Sequence, residues 1–516
     1  MTNLKTTRRQ FLATTGALTA AGMASGMPTI LWAADGKALR LRLDNDIKIL
    51  DPGYMVGGPS VEAQKQCLPF LAEYVRDGDA VTWQPTAYVK KLEQRDPTQI
   101  DFELVDGLMW SDGYGKVKAS DVAYSYERMK GSDWGGYFDA LDTVEVTGEL
   151  TGTLVLKQPF APFFMVTLCH GPGAIVCEKA VEDAGGRFTD TFPATCGPYT
   201  LSTDGGQRVV FELDPAWTGP IPDFNRVECN IIPEIKASEL AFEAGELDCT
   251  VLGSDTLARY QKQLPPNTNL VTVGELQYMW LGMNTQHEKL KDIKVRKAIQ
   301  YAVDVDSILA GAYSNTSAKS NGIICPGLVG HREQSSYSYD PAKARELLAE
   351  ASVSGLSLTL RTLNTQERML TAQIIQANLA AIGITVTVLP VDNGPFWEMG
   401  AESAGDQWQD LEIWLMRFGT VPDPYEATQW FVSSQVGIWN WERWTDPEFD
   451  RLYEEGVAET DTAKRAEIYL QMQQIMEDTG AYVWINHEPQ VFAYRDGIEI
   501  NAAPSGEKNY HRFKSV

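Results

Sequence analysis

The stretch "IWLMRFGTVPDPYEATQWF", residues 413–431, sets one arginine at the end of a run that reads as buried strand. In "LEIWLMRFG" the residues Leu411, Ile413, Leu415 and Arg417 share one face, and Trp414, Met416 and Phe418 share the other. Both faces are apolar until the end, the pattern of a central strand in a parallel sheet. Ligands of open α/β sheets sit beyond the carboxyl ends of the strands, which is where Arg417 falls. Its planar fork suits a carboxylate or another anion. The competing use of Arg417 is an internal bridge to an Asp or Glu.

Tryptophan is concentrated in the same region. Seven of the 14 lie between 397 and 444: Trp397, Trp408, Trp414, Trp430, Trp439, Trp441 and Trp444. Aromatic walls suit sugar faces, heterocycles, quaternary cations and peptide side chains. Trp414 and Trp430 read as core, whereas Trp439 and Trp441, flanking Asn440 in a loop, are candidates for a ligand cleft.

Signatures of common enzymes are missing from the sequence. There is no GxxxxGK phosphate loop, no GxSxG elbow and no HExxH. The five histidines, at 170, 287, 331, 487 and 511, are widely scattered. Acidic residues are too plentiful for one pair to stand out as general acid and base. No cofactor is expected, and without CxxC or Cys/His spacing no metal site either.

The elements that must position these residues alternate between strand and helix. "ALRLRLDNDIKILDPG" (38–53) alternates leucine with polar residues as a strand does, and a turn follows. "DIKVRKAIQYAVDVDSIL" (292–309) has helical periodicity behind an Asp292 cap, and "YDPAKARELLAEA" repeats the signal with Asp340 and Pro341. "LSLTLRT", "QERMLTAQIIQANLAAIG" and "ITVTVLPV" (356–391) then read as strand, helix and strand. This β-α-β unit implies a parallel pair with a right-handed crossover. At 516 residues the chain exceeds a single core, so two or three domains are expected.

The first 34 residues read differently. "TTRRQFLATTGALTAAGMASGMPTILWAA" carries paired arginines before a mildly apolar, small-residue stretch, as in a twin-arginine export signal with cleavage near Ala33 or Ala34. Removing Lys5, Arg8 and Arg9 with it takes the formal net charge from −25 to −28. Such a surface repels phosphate backbones, so nucleic acid is not an expected partner. An exported chain with seven cysteines can form disulfides. Cys229 with Cys249 is the first candidate pair, since neighbouring strands could bring them together, and Cys177 with Cys196 is the second.

Several segments, in order, resemble one family. They are "FELVDGLMWSDGYGKVKASDVAYSYERM" (102–129), "CGPYTL" (196–201), "DIKVRKAIQYAVDVDSI" (292–308), "YDPAKARELLAEA" (339–351) and "IWNWERWTDPEFDRLYEEG" (438–456). They are similar to the family 5 extracytoplasmic solute-binding proteins of ABC importers, the group containing dipeptide, oligopeptide and nickel-complex receptors. The resemblance implies an α/β, two-lobed periplasmic-binding-protein-like fold with discontinuous lobes and an extra inserted domain. On that template residues 1–34 are the signal, and 35–57, 190–278 and 480–516 form the first lobe. Residues 58–189 form the inserted domain and 279–479 the second large lobe. The lobes of such a receptor close over a solute by hinge motion and present it to a membrane permease.

Family position adds Tyr54, Met55 and Tyr278 to the candidate site. Peptide receptors of the family usually carry an aspartate where this chain has Thr420, and a tryptophan where it has Arg417. A hydroxyl cannot give an ammonium the charge-assisted bond that a carboxylate gives. The expected ligand is therefore a small organic solute, a peptide or amino-acid derivative with an acidic group, bound by a periplasmic monomer that is no enzyme. The alternatives are a receptor for a sugar-like or opine-like solute or a chelated metal, a sensory receptor, and an extracytoplasmic hydrolase.

Overall fold

The computed structural model describes residues 38–516 apart from 56, 78, 79, 204, 205 and 275. The expected export signal, including its cleavage point, lies outside the described residues. Among the described residues no helix is long and apolar enough to cross a membrane.

Chain segments far apart in sequence build the first lobe. Ala38–Leu43 pairs in parallel with Arg226–Ile231, which runs antiparallel to Arg208–Leu213, with Tyr199–Thr203 at the edge. A second sheet sets Gln490–Arg495 between Cys249–Val251 and Thr268–Gly274. Leu39, Leu41 and Leu43 are all buried, as their alternation requires. A separate antiparallel sheet of Val89–Asp96, Gln99–Leu104, Thr151–Leu156 and Leu141–Val146 lies within the expected inserted domain.

The other large unit is organised by a six-stranded sheet. Its order is Ala318–Lys319, Tyr482–His487, Gln277–Met283, Ile413–Gly419, Ser357–Leu363 and Thr385–Val391. The β-α-β unit forms as expected: Ser357–Leu363 and Thr385–Val391 are parallel and joined by the helix Gln366–Ala380. Ile413–Gly419 is central, but the sheet is mixed rather than parallel. That strand runs parallel to Ser357–Leu363 and antiparallel to Gln277–Met283. Its doubly apolar sequence follows from cover on both faces, which a mixed sheet provides equally well.

One face of this sheet packs Leu281, Leu360, Ile413 and Val483 under the helices Ile293–Ala302, Val305–Tyr313 and Gln366–Ala380. Asp292 and Asp340 cap their helices through the backbone N–H groups of Lys294 and of Ala342 and Lys343. The opposite face packs Trp280, Trp414, Met416 and Trp484 against Phe396, Phe431 and Trp441.

The strand Tyr482–His487 belongs to the six-stranded sheet and Gln490–Arg495 to the sheet of Cys249–Val251 and Thr268–Gly274, so the chain passes between the two sheets at 488–489. The other crossing follows Gly274, where a Cβ would stand 1.9 Å from the Pro504 carbonyl oxygen. Only a glycine allows that approach at the crossover.

Neither expected disulfide is present: Cys229, Cys249, Cys177 and Cys196 are free thiols, all buried. Ala38–Leu43 stands between the first two. It pairs with the strand of Cys229 on one side, and on the other its Arg40 carbonyl accepts from Asp248 N–H, beside Cys249. Two strand spacings put the cysteines about 9.5 Å apart, beyond the roughly 7 Å limit between Cα atoms of a disulfide. Cys177 precedes the helix Glu178–Asp183 with its thiol toward the Ala180 backbone, whereas the Cys196 thiol meets that of Met109.

Candidate solute site between the lobes

At the carboxyl end of Ile413–Gly419 the two faces of the strand diverge in chemistry. Arg417, with 44% of its side chain exposed, donates from Nη1 to Glu488 Oε2 at 2.7 Å and to Gln277 Oε1 at 3.0 Å. The second oxygen of Glu488 is held at 3.0 Å by Nη2 of Arg368, whose Nη1 donates to the Tyr313 hydroxyl at 2.9 Å. Burial raises the pKa of Glu488, but Arg368 and then Arg417 outweigh it and hold the carboxyl below its ordinary range. Arg417 is thus an internal bridge, yet two guanidiniums share one carboxylate. The group keeps one net positive charge at an exposed arginine.

Phe418 faces the other way, into aromatic side chains. Its ring lies 5.9 Å from Trp439, 6.3 Å from Trp430 and 6.4 Å from Trp397, and Trp439 stands 6.0 to 6.4 Å from the other two tryptophans. All four are half-buried, so their faces are partly available. Beneath them Tyr278 stacks on Trp280 at 5.5 Å and donates to the Ala427 carbonyl at 3.3 Å. Tyr278 is fully buried and supports this wall rather than forming its surface.

Several sequence candidates have structural duties instead. Trp441 is 1% exposed, packs on Trp414 and donates to the Ile438 carbonyl. Asn440 donates to the carbonyls of Phe431 and Trp444, tying the loop shut. The loop thus turns Trp439 outward and its two neighbours inward, which composition did not reveal. Trp430, expected in the core, joins the half-buried wall. The Thr420 hydroxyl is buried and donates to the Val421 carbonyl.

The nearby acids are also committed. Asp423 caps Pro424–Thr428 through Tyr425 N–H, and its two oxygens accept from Arg465 at 2.8 Å each. Glu426 is buried against the hydroxyl of Tyr137 at 3.2 Å and the amide of Gln429. Burial pushes its pKa up to about 7.

A second group of candidates comes from the chain before residue 190. Tyr54 lies under the Arg187 guanidinium at 3.6 Å, and the Met55 carbonyl accepts from Trp134 Nε1 at 3.0 Å. Trp134, Tyr137 and His170 form one aromatic group with centroids 5.4 to 5.9 Å apart. The Tyr137–Glu426 bond therefore ties the wall of Met55 to the helix that leads into Trp430. Arg417 and the Phe418–Trp439 group thus end the two faces of Ile413–Gly419, and Tyr54 and Met55 belong to the group that Tyr137 joins to Glu426. Arg368, Glu488, Trp397 and Tyr137 were missed by sequence reasoning. The density of tryptophan was the signal available for Trp397, and the other three are set only by long-range pairing. Among the described residues no three His, Cys, Asp or Glu side chains are grouped to hold a metal ion.

Two lobes built from discontinuous chain and joined by paired crossings define the class of two-lobed solute-binding proteins. The chain belongs to the bacterial extracellular solute-binding proteins, family 5, whose "Middle" sequence model matches residues 83–439. It is 26% identical over 422 residues to the dipeptide-binding protein of Escherichia coli strain K12, covering 75% of this chain and 77% of that one. It is 27% identical over 464 residues to the probable D,D-dipeptide-binding periplasmic protein DdpA of the same strain, covering 85% and 86%. Its fold matches the crystal structure of the ABC transporter substrate-binding protein CtaP from Listeria monocytogenes. That match has a TM-score of 0.81 at 21% identity, over 93% of this chain and 99% of the other. NikA from Brucella suis, solved in complex with Fe(III)-EDTA, matches with a TM-score of 0.78 at 20% identity, over 93% and 100%.

Proposed function

We propose that the protein is the periplasmic receptor of an ABC importer for a small organic acid of peptide or amino-acid origin whose amino group is absent or blocked. The observation that carries this reading is the rim at the end of Ile413–Gly419. There an exposed arginine with surplus positive charge ends one face of the strand and a half-buried aromatic wall the other, and no free carboxylate stands at Thr420 or Asp423. The solute's carboxylate meets Arg417, and its body lies against Phe418, Trp397, Trp430 and Trp439. Closure of the first lobe brings Tyr54 and the Met55 segment over it. The protein acts as a monomer that delivers the solute to a membrane permease and makes or breaks no bond. It reaches the periplasm by the twin-arginine route, and amino-terminal sequencing of the exported form locates cleavage near Ala33 or Ala34.

The test is a thermal-shift screen of N-acylated amino acids and dicarboxylates beside free dipeptides, with wild type and Trp439→Ala. At 100 times the dissociation constant a ligand stabilises the native state by about 2.7 kcal/mol. The expected result is stabilisation by acids without a free ammonium, lost in the variant. Stabilisation by free dipeptides alone would overturn the proposed solute class.

A further inference from the structure

A second cavity lies away from this rim, where the inserted domain meets the first lobe. It holds about 420 Å³ and takes its walls from residues 65–88 and 169 on one side and from 198–221 and 499–514 on the other. That volume falls within the range of small-molecule sites. Tyr88, Phe70 and Trp217 give it an apolar lining, with the Tyr88 and Trp217 rings 5.5 Å apart, and Ile221, 61% exposed, stands at its edge.

The polar groups around it are largely spent on one another. Glu73 accepts from Arg512 and from Gln84, Asn509 donates to Asn501 at 2.8 Å, and the Thr86 hydroxyl donates to the Phe70 carbonyl. His511 donates from its backbone and from Nδ1 to Gln66 Oε1, at 3.1 and 2.9 Å. Trp217 Nε1 donates to the Pro220 carbonyl at 2.9 Å.

Lys65 is the exception. It ends the helix Gly58–Cys67 half-buried, with Nζ 5.0 Å from the centre of the Tyr74 ring and no ion pair among the described residues. The carboxylate of Glu507 feels its field but hydrogen-bonds Ser505 instead. Lys65 therefore has a carboxylate nearby but none hydrogen-bonded to it, and a ligand's anionic group can make that direct bond. Arg512 is paired with Glu73, Lys514 with Asp223 at 3.5 Å, and Glu499 also lines the cavity, so Lys65 is the lining cation without an ion pair among the described residues.

We propose that this cavity is a second binding site, distinct from the solute cleft, for a small amphiphilic organic anion. Its apolar body lies against Tyr88, Trp217 and Phe70, and its carboxylate or sulfonate pairs with Lys65. Because both domains line the site, an occupant fastens the inserted domain to the first lobe.

The probes are 8-anilinonaphthalene-1-sulfonate, read by its own fluorescence and by tryptophan quenching, and decanoate as its competitor. One saturable site per chain is expected, emptied by decanoate and unchanged in the cleft variant Trp439→Ala. Lys65→Gln should weaken it about ten-fold or more, as loss of a charge-assisted bond does. Ala87→Trp, at an exposed position on the cavity's edge, should block it without changing the melting temperature. Unsaturable binding, loss of the site in Trp439→Ala, or equal affinity in Lys65→Gln and Ala87→Trp would each overturn the proposal.

Discussion

Glu442 is buried and Glu488 half-buried against opposite faces of the same six-stranded sheet, and their acidities move in opposite directions. Glu442 accepts from Trp280 Nε1 at 2.7 Å and from the Tyr482 hydroxyl at 3.4 Å on the aromatic face. Burial pushes its pKa up to about 8, against which these two donors do little. Glu488 is less enclosed and is shared by Arg368 and Arg417, which bring it below the ordinary carboxylate range. Burial by itself keeps an acid protonated at neutral pH, and two guanidiniums reverse that outcome. The aromatic face is accordingly neutral beneath its tryptophans, while the other face carries an ionic joint with one positive charge to spare.

The largest effect is expected on the ionic side. Glu488→Gln removes the shared carboxylate and leaves the 7%-exposed Arg368 without its ion pair. Breaking a buried pair from one side costs about 3 kcal/mol or more. Urea unfolding should show this loss at neutral pH, and an unchanged midpoint would mean that the joint contributes nothing.

On the aromatic side the matching substitution should act through pH. The folded pKa of Glu442 lies above its unfolded value, so its contribution is fully present below about pH 4.5 and lost as pH rises through about 8. Between pH 6 and pH 9 wild type should lose about 2 kcal/mol from this group. Glu442→Gln keeps the shape and accepts the Trp280 hydrogen bond, so it should remove that part of the slope. Buried His487 works in the other direction. Its pKa is held down to about 3 by burial and then by His331, so its contribution is present above about pH 6.5 and lost as pH falls through about 3. Denaturant melts from pH 3 to pH 9 should therefore give a maximum, with the alkaline limb flattened in Glu442→Gln and the acid limb intact.

The asymmetry between the faces also explains which residues the sequence disclosed. Arg417 stood out because its own strand is apolar, and period-two alternation assigned it to the face opposite Phe418. Its partners were hidden: Glu488 enters from the link after a strand, 71 residues away in sequence, Gln277 from a strand 140 residues away, and Arg368 from a crossover helix. The family resemblance anticipated the two lobes, yet strand boundaries near 480 depended on pairing that no local pattern carries. In the loop around Asn440, composition placed aromatics near the cleft but could not say which would turn inward. The cysteines misled for the same reason, since strand-like segments do not reveal which strand lies between them.

The smallest effect on stability, and the one that separates the two uses of Arg417, belongs to Arg417→Ala. Exposed ion pairs contribute under about 1 kcal/mol, and Arg368 remains to hold Glu488 ionised. Unfolding should therefore shift far less than in Glu488→Gln. Removing Arg417 also cancels the surplus positive charge at the rim, leaving Arg368 and Glu488 balanced. An acidic solute should then lose most of its stabilising shift, while neutral aromatic probes that rest on Trp439 should keep theirs. Equal binding of the acid by variant and wild type would reduce Arg417 to a structural bridge. A stability loss as large as that of Glu488→Gln would show that the ionic face depends on both guanidiniums together.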